Sequence, residues 1–310
     1  MAIYYLTNTS PGAPSLPSYA TPGSFIAVLD FCLVATMGWT KEFSGTNTAT
    51  YRAPTGNRFY LGVDDTSTTG VVRLRGFESA TAPGVAAASG TNPFPSDAQL
   101  NGGMYLLRGG SSTSYNTTDW VFVSDGKLFY YHSRLYSTGF SNYGTPMLIF
   151  GDFIRYNPSD SFNSCLIAET GSNVSVFSTP FTLRILSDTG SAGVAFPRSY
   201  TGTGTSLLGN LIGDPYKVGT STSFIVGNRG IRYPNMLTGT MDMSYVEIGE
   251  SAGVRGRLPG YWYPLHVQPM TADSTFTGTG SNSGKTFKVR AADRDSSGQL
   301  FLEISDTWGT

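Results

Sequence analysis

Gly280, Gly284, Lys285 and Thr286 spell G-x-x-x-G-K-T, close to the loop whose backbone amides cradle nucleotide phosphates. The spacing is one residue short of that motif. The following TFKVRA has the texture of a strand, whereas a phosphate site needs the N-terminus of a helix there. We therefore read Ser281–Asn282–Ser283–Gly284 as a turn between strands. Asp293, Asp295, Ser297 and Gly298 reproduce the first half of a calcium loop, in which alternate oxygens surround the ion. The twelfth position, which should supply a bidentate acid, is Ile304 with Glu303 beside it, so a β-turn is the preferred reading.

His132 and His266 are the chain's two histidines, in YYHSR and YPLHVQ. Aromatic neighbours and the absence of a G-x-S-x-G elbow point to structural or interface imidazoles rather than general bases. Asp64–Asp65, or Glu247 with Glu250, supply carboxylates of the type that cleaves glycosidic bonds, but that chemistry depends on a separation across a cleft. Asp64–Asp65 closes an expected strand before TSTTG and is read as turn-forming. Cys32 and Cys165 stand singly in apolar contexts, without zinc spacing or disulfide density, and are expected to be buried free thiols. No catalytic, metal-binding or cofactor-binding residue is assigned, and no enzymatic activity is expected.

Composition points the same way. Of 310 residues, 13% are charged, against about 25% in an ordinary globular chain, while 38 glycines and 17 prolines supply turns. Aromatic residues make up 13%, enough apolar area for an ordered core. A net charge of -1 without a basic cluster excludes nucleic acid as a main partner. The first residues lack a basic segment followed by an apolar run, and residues 25–35 are interrupted by Asp30 and too short to span a bilayer, so no membrane anchor is expected.

These residues are positioned by an expected succession of short strands. Residues 1–23, rich in Pro, Gly, Ser and Thr, read as an extended arm. SFIAVLDFCLVA, after Thr21–Pro22–Gly23, favours one buried helix ending near Gly38. TATYRA, RFYLGVDD and VVRLRGFES read as an antiparallel meander. A Pro/Ala/Gly/Ser-rich loop over residues 80–95 follows and is expected to be a contact surface, and PSDAQLNGGMYL allows a brief helix. WVFVSDGKLFYYHSR predicts a hairpin with a two-residue type I′ turn at Asp125–Gly126. A boundary is placed near residues 143–146, after which MLIFGDFIRY, SCLIAE, FTLRILS, TSFIVG, MSYVEIGE, YWYPLHVQPM, KTFKVRAAD and QLFLEISDTW continue the strands. The expected fold is mainly β: antiparallel β-sandwich-like domains over 24–145 and 146–310, with one or two short helices near the N-terminal half.

GWTKEFSGTNTATYRAPTGNRFYLGVDD with VVRLRGFES, and GRLPGYWYPLHVQPMTADSTFTGTGSNSGKTFKV ending in EISDTW, resemble blocks in uncharacterised virion structural proteins of tailed bacteriophages. The resemblance covers a third to a half of the chain and implies a place, the tail, baseplate or neck of the particle, but no reaction. Expected partners are other virion proteins and copies of the same chain, and the two single cysteines suit folding in a reducing bacterial cytoplasm. Large aromatics are favoured interface anchors, so Tyr4, Tyr5 and Tyr19 of the arm, Pro93 and Phe94 of the loop, and Tyr261, Trp262 and Tyr263 are the candidate contact residues. The competing class is a tail-tip or fibre module binding host-surface glycan through exposed aromatics; a polysaccharide depolymerase is third.

Overall fold

The computed structural model describes residues 2–16, 21–68, 70–108, 115–137, 146–169, 192–212, 242–264, 270–291, 299–305 and 308. It is mainly β and antiparallel, as expected, with one helix of 13 residues. Its strands stack in three layers around two large cores and a smaller third one of Trp262, Phe287, Val289 and Phe301.

The chain opens with β1 (Tyr4–Thr7), then the helix α1 (Ser24–Leu29), which continues as a π-wound turn over Asp30–Thr36. The helix expected from SFIAVLDFCLVA is therefore present. Its apolar side buries Phe25, Val28, Leu29, Cys32 and Leu33. Asp30, the polar interruption of that run, points outward: its carboxylate accepts from Tyr51 Oη and from Lys41 Nζ, each at 2.8 Å. That pins the helix to the two strands beyond it.

β2 (Thr40–Gly45), β3 (Thr48–Arg52), β4 (Tyr60–Asp64), β5 (Val71–Phe77) and β8 (Met104–Leu107) pair in the order β2-β3-β4-β5-β8 and form the first layer. The loop between β5 and β8 carries the small ribbon β6 (Ser79–Ala80) and β7 (Gly90–Thr91). The brief helix allowed by PSDAQLNGGMYL is a single 3-10 turn, Leu100–Gly102.

β9 (Tyr115–Ser124), β10 (Leu128–Ser137), β11 (Met147–Asp152), β13 (Ser164–Glu169) and β14 (Ala192–Phe196) form the middle layer, with β1 paired to β9. Middle-layer strands read as unbroken apolar runs because both faces are covered. Trp120, Phe122, Phe129, Tyr131, Leu148, Phe150, Leu166 and Ala168 face the helix and first layer, while Val121, Val123, Leu128, Tyr130, Met147, Ile149, Cys165 and Ile167 face the opposite way. Each successive residue switches faces, the two-residue period of a strand. Both cysteines are buried free thiols, as expected, and burial pushes both thiol pKa values up.

β12 (Ile154–Arg155), β15 (Leu207–Ile212), β16 (Met243–Glu250), β17 (Gly253–Pro264), β18 (Thr275–Thr277), β19 (Thr286–Ala291) and β20 (Gln299–Glu303) complete the third layer. β15 joins the layers: residues 207–209 pair with β14, and residues 210–212 with β16.

Two expectations change. Residues 4–7 do not form part of an extended arm; they make a strand whose register with β9 runs from Tyr4↔Ser124 to Thr7↔Val121. The hairpin at Asp125–Gly126 is present without the two-residue type I′ turn, because Ser124 pairs with Phe129 and Gly126 alone of the intervening residues has positive φ. The Asp125 carboxylate accepts the amides of Lys127 and Leu128 at 2.8 and 2.9 Å, doing in the turn what a tighter backbone pair would have done. Residues 143–145 of the expected boundary lie outside the described residues, and the strands on either side, β10 and β11, pair in one sheet. FTLRILS, TSFIVG, His266 and the Asp293–Gly298 motif also lie outside the described residues.

Candidate functional site

The phosphate-loop look-alike is a short 3-10 turn, Gly280–Asn282, followed after residues 283–285 by β19, as the turn reading requires. Asp64 and Asp65 divide. Asp64 Oδ1 accepts the amide and hydroxyl of Thr66 at 3.1 and 2.7 Å, a turn-forming role. Asp65 is instead fully buried and paired to Arg108, itself fully buried, which overturns the turn reading for that residue. Glu247 accepts from Tyr156 Oη at 2.6 Å, whereas Glu250 is buried and paired to Arg255.

A cleft of about 460 Å³ lies among the connections of the first and middle layers. The β3–β4 connection brings Gly56 and Asn57, the β9–β10 turn Asp125 and Lys127, and β11 and β12 bring Asp152 and Arg155. Trp308 and Pro259 form its other wall. Gly56 is at φ +79°, and a Cβ there would meet Asp152 Oδ2 at 2.2 Å. That clearance lets the Asn57 amide reach Asp152 Oδ2 at 2.7 Å, while the Ser164 hydroxyl takes Oδ1. Burial pushes the Asp152 carboxyl pKa up. Asp152 thus ties first layer to middle layer, with both carboxylate oxygens occupied.

A buried polar group lies between the middle and third layers. His132 is fully buried, with Nε2 3.4 Å from Tyr261 Oη. Burial and the nearby Arg290 push its pKa well below the usual imidazole value. Arg290, 1% exposed, pairs with Asp273 and lies 3.6 Å from Asp119; Arg134 closes on Asp273 at 2.6 Å. Asp119 on β9 and Arg134 on β10 thus meet Arg290 on β19 and Asp273 ahead of β18, which bolts the two layers together.

The sequence-predicted contact residues are dispersed. Phe94 is fully buried, its ring against Gly76, where a Cβ would meet it at 2.2 Å. Pro93 beside it is half-buried. Tyr261 is fully buried and stacked on Tyr130 at 4.9 Å, and Trp262 is 5% exposed, lying 3.7 Å from the Tyr245 ring. Phe94, Tyr261 and Trp262 therefore fill the chain's own interior instead of anchoring a partner. Tyr263 packs partly against the second core. Tyr4 faces the first core and Tyr5 the second. Tyr19 lies outside the described residues.

Among the described residues, four of the exposed large apolar side chains lie on or beside the outer face of the third layer, with Val34 and Tyr200 exposed elsewhere. Along β15, Leu208 and Ile212 are exposed while Leu207 and Leu211 turn inward. Across the sheet, Gly249 pairs with Val254, and Ile212 Cδ1 lies 3.0 Å from where a Cβ on Gly249 would be. Tyr156, half-exposed, joins this patch through its hydrogen bond to Glu247, the register partner of Ile212. Burial and the Glu247 carboxylate push the Tyr156 phenol up to about 12. No aromatic cluster marks the Leu208–Ile212 patch in sequence; LLGNLI shows alternation without saying which half faces solvent.

Neither family models nor characterised proteins match this chain. Among the described residues no cluster of His, Cys, Asp or Glu could hold a metal ion, and no helix is long and apolar enough to cross a membrane.

Proposed function

We propose that this chain is a structural component of a tailed-bacteriophage particle, in the tail, baseplate or neck, and that it works by packing against copies of itself and neighbouring virion proteins. The observation that carries this reading is the apolar outer face of the third layer: Leu208 42%, Ile212 39%, Val254 47% and Tyr156 50% exposed. Their neighbours in that sheet are Gly249, which adds no side chain, and the polar Asn210, Glu247 and Arg257, with Glu247 engaged by Tyr156 Oη. Exposed apolar groups gathered on one sheet face favour a contact surface. The blocks resembling phage virion proteins supply the place, and the low overall charge suits permanent contacts.

The test is composition followed by substitution. Purified particles are analysed by quantitative mass spectrometry, and the Ile212→Lys/Val254→Lys chain is then supplied in place of the natural one. The reading expects the natural chain in fixed stoichiometry and the variant chain folded but missing from particles. Glycan binding by the isolated chain, with incorporation unchanged in the variant, would transfer the role to host recognition.

A further inference from the structure

We propose that β1 is exchangeable: residues 2–7 of one copy can occupy the β9 edge of a second copy, linking chains in the assembly. The proposal deepens the assembly reading and rests on it for the high local concentration that exchange requires.

Three observations carry it. First, β1 has one strand neighbour among the described residues, β9, so its departure breaks a single ladder of four register pairs. Second, β1 is built for its groove on both faces. Tyr4 and Leu6 pack against the first core, Ile3 and Tyr5 against the second, and β9 offers buried Val121, Phe122 and Val123 opposite them. The groove left by one copy's β1 is chemically identical in every other copy, so a strand that fits its own chain fits a neighbour equally well. Third, the connection over residues 8–23 is long, and Ala13 and Leu16 within it pack against the first core, so they re-dock together with β1. Residues 8–23 include Pro11, Pro14, Pro17 and Pro22, and extended at ~3.3 Å per residue they reach roughly 50 Å, more than the width of a stack of sheets about 10 Å apart. Thr9, Pro11, Gly12 and Ser15 are exposed. Its ties to the middle layer include Asn8 N to Trp120 O at 3.2 Å and Trp120 Nε1 to Pro14 O at 3.3 Å.

Exchange costs no pairing: each ladder broken within a chain is remade between chains. Within a lone chain the tether, being intramolecular, favours the closed form; among copies held side by side the two forms compete on equal contacts.

The register supplies the test. Thr7 and Val121 are direct partners across β1 and β9, at the Cα separation a disulfide spans. Full-length Thr7→Cys and Val121→Cys chains are mixed, refolded together at the highest soluble concentration and oxidised. Exchange predicts a covalent heterodimer on a non-reducing gel, absent from either variant alone; the buried Cys32 and Cys165 stay out of reach. The double variant in one chain is the geometric control. An intrachain bond in that control with no heterodimer from the mixture overturns the proposal. Where the control fails to close, sedimentation of the unmodified chain refolded at the same concentration decides: dimers or larger species support exchange, and a single monomeric species overturns it. Chains that never exchange but are present in particles contradict exchange alone, and chains that exchange but are missing from particles contradict the assembly reading alone.

Discussion

Asp65 caps the single long helix while holding Arg108: its Oδ2 accepts the Phe25 amide at 2.9 Å and the Ile26 amide at 3.4 Å, and its Oδ1 pairs with the guanidinium. One carboxylate thus meets the positive end of a helix and a buried cation at once. Burial pushes its pKa up to about 6 against the pull of Arg108 and the two amides. The pair joins the end of β4 to the residue after β8, across the first layer.

Removing one partner strands the other. Asp65→Ala should destabilise the fold by about 3–5 kcal/mol, because it leaves a buried guanidinium uncompensated and two helix amides unpaired. Replacing both, Asp65→Leu with Arg108→Met, should cost less than either single change. Chemical denaturation of the three variants checks the order.

A second buried pair makes a parallel case. Arg255, 1% exposed, holds Asp160 through two Nη2 contacts of 2.7 and 2.8 Å and Glu250 at 3.4 Å, with its guanidinium 4.5 Å from the Phe196 ring centroid. Arg255→Met should cost about 3–5 kcal/mol by leaving the two acids unpaired. Arg255→Lys should recover little of it, since an ammonium cannot match the forked contact or lie flat over the ring. Thermal melts of both variants test this.

Stability should fall on acidification through His132. Its folded pKa is depressed well below 6.5 by burial and Arg290, so the unfolded chain binds the proton first. The contribution is present above pH ~6.5 and is lost below it at up to ~1.4 kcal/mol per pH unit. His132→Phe should flatten the difference between pH 7 and pH 5. An unchanged slope in that variant would contradict the assignment.

Packing gives a sharper local prediction. A Cβ on Gly76 would lie 2.2 Å from the Phe94 ring, so Gly76→Ala should destabilise by about 1–3 kcal/mol. Gly253 has no neighbour within 4 Å of such a Cβ but holds φ +134°, so any loss in Gly253→Ala reflects backbone strain alone. Comparing the two by denaturation separates crowding from conformation.

Much of the fold is legible in the sequence because local chemistry dictates it. The apolar run at residues 24–36 gives its helix, and TATYRA, SCLIAE and QLFLE give strands. WVFV, LFYY and MLIF announce burial on both sides, but a run without alternation does not say that two cores share it; that needs the register with β14, β15 and β17. YYLT failed to read as a strand because four residues followed by turn formers carry little local signal, and its partner lies more than a hundred residues on. Asp65 looked like a turn residue for the same reason, since Arg108 is 43 positions away. The aromatic anchors misled because Phe94, Tyr261 and Trp262 suit a core as well as an interface, and burial alone distinguishes the two.

We propose that Leu208, Ile212, Val254 and Tyr156 on the third layer meet another chain in a phage particle. A cryo-EM reconstruction of intact particles, with this chain placed by its side-chain density, tests it most directly. The account predicts Leu208, Ile212, Val254 and Tyr156 buried against another chain at a fixed position in the tail, baseplate or neck. Those four residues facing open solvent, with the chain projecting from the particle, would contradict it.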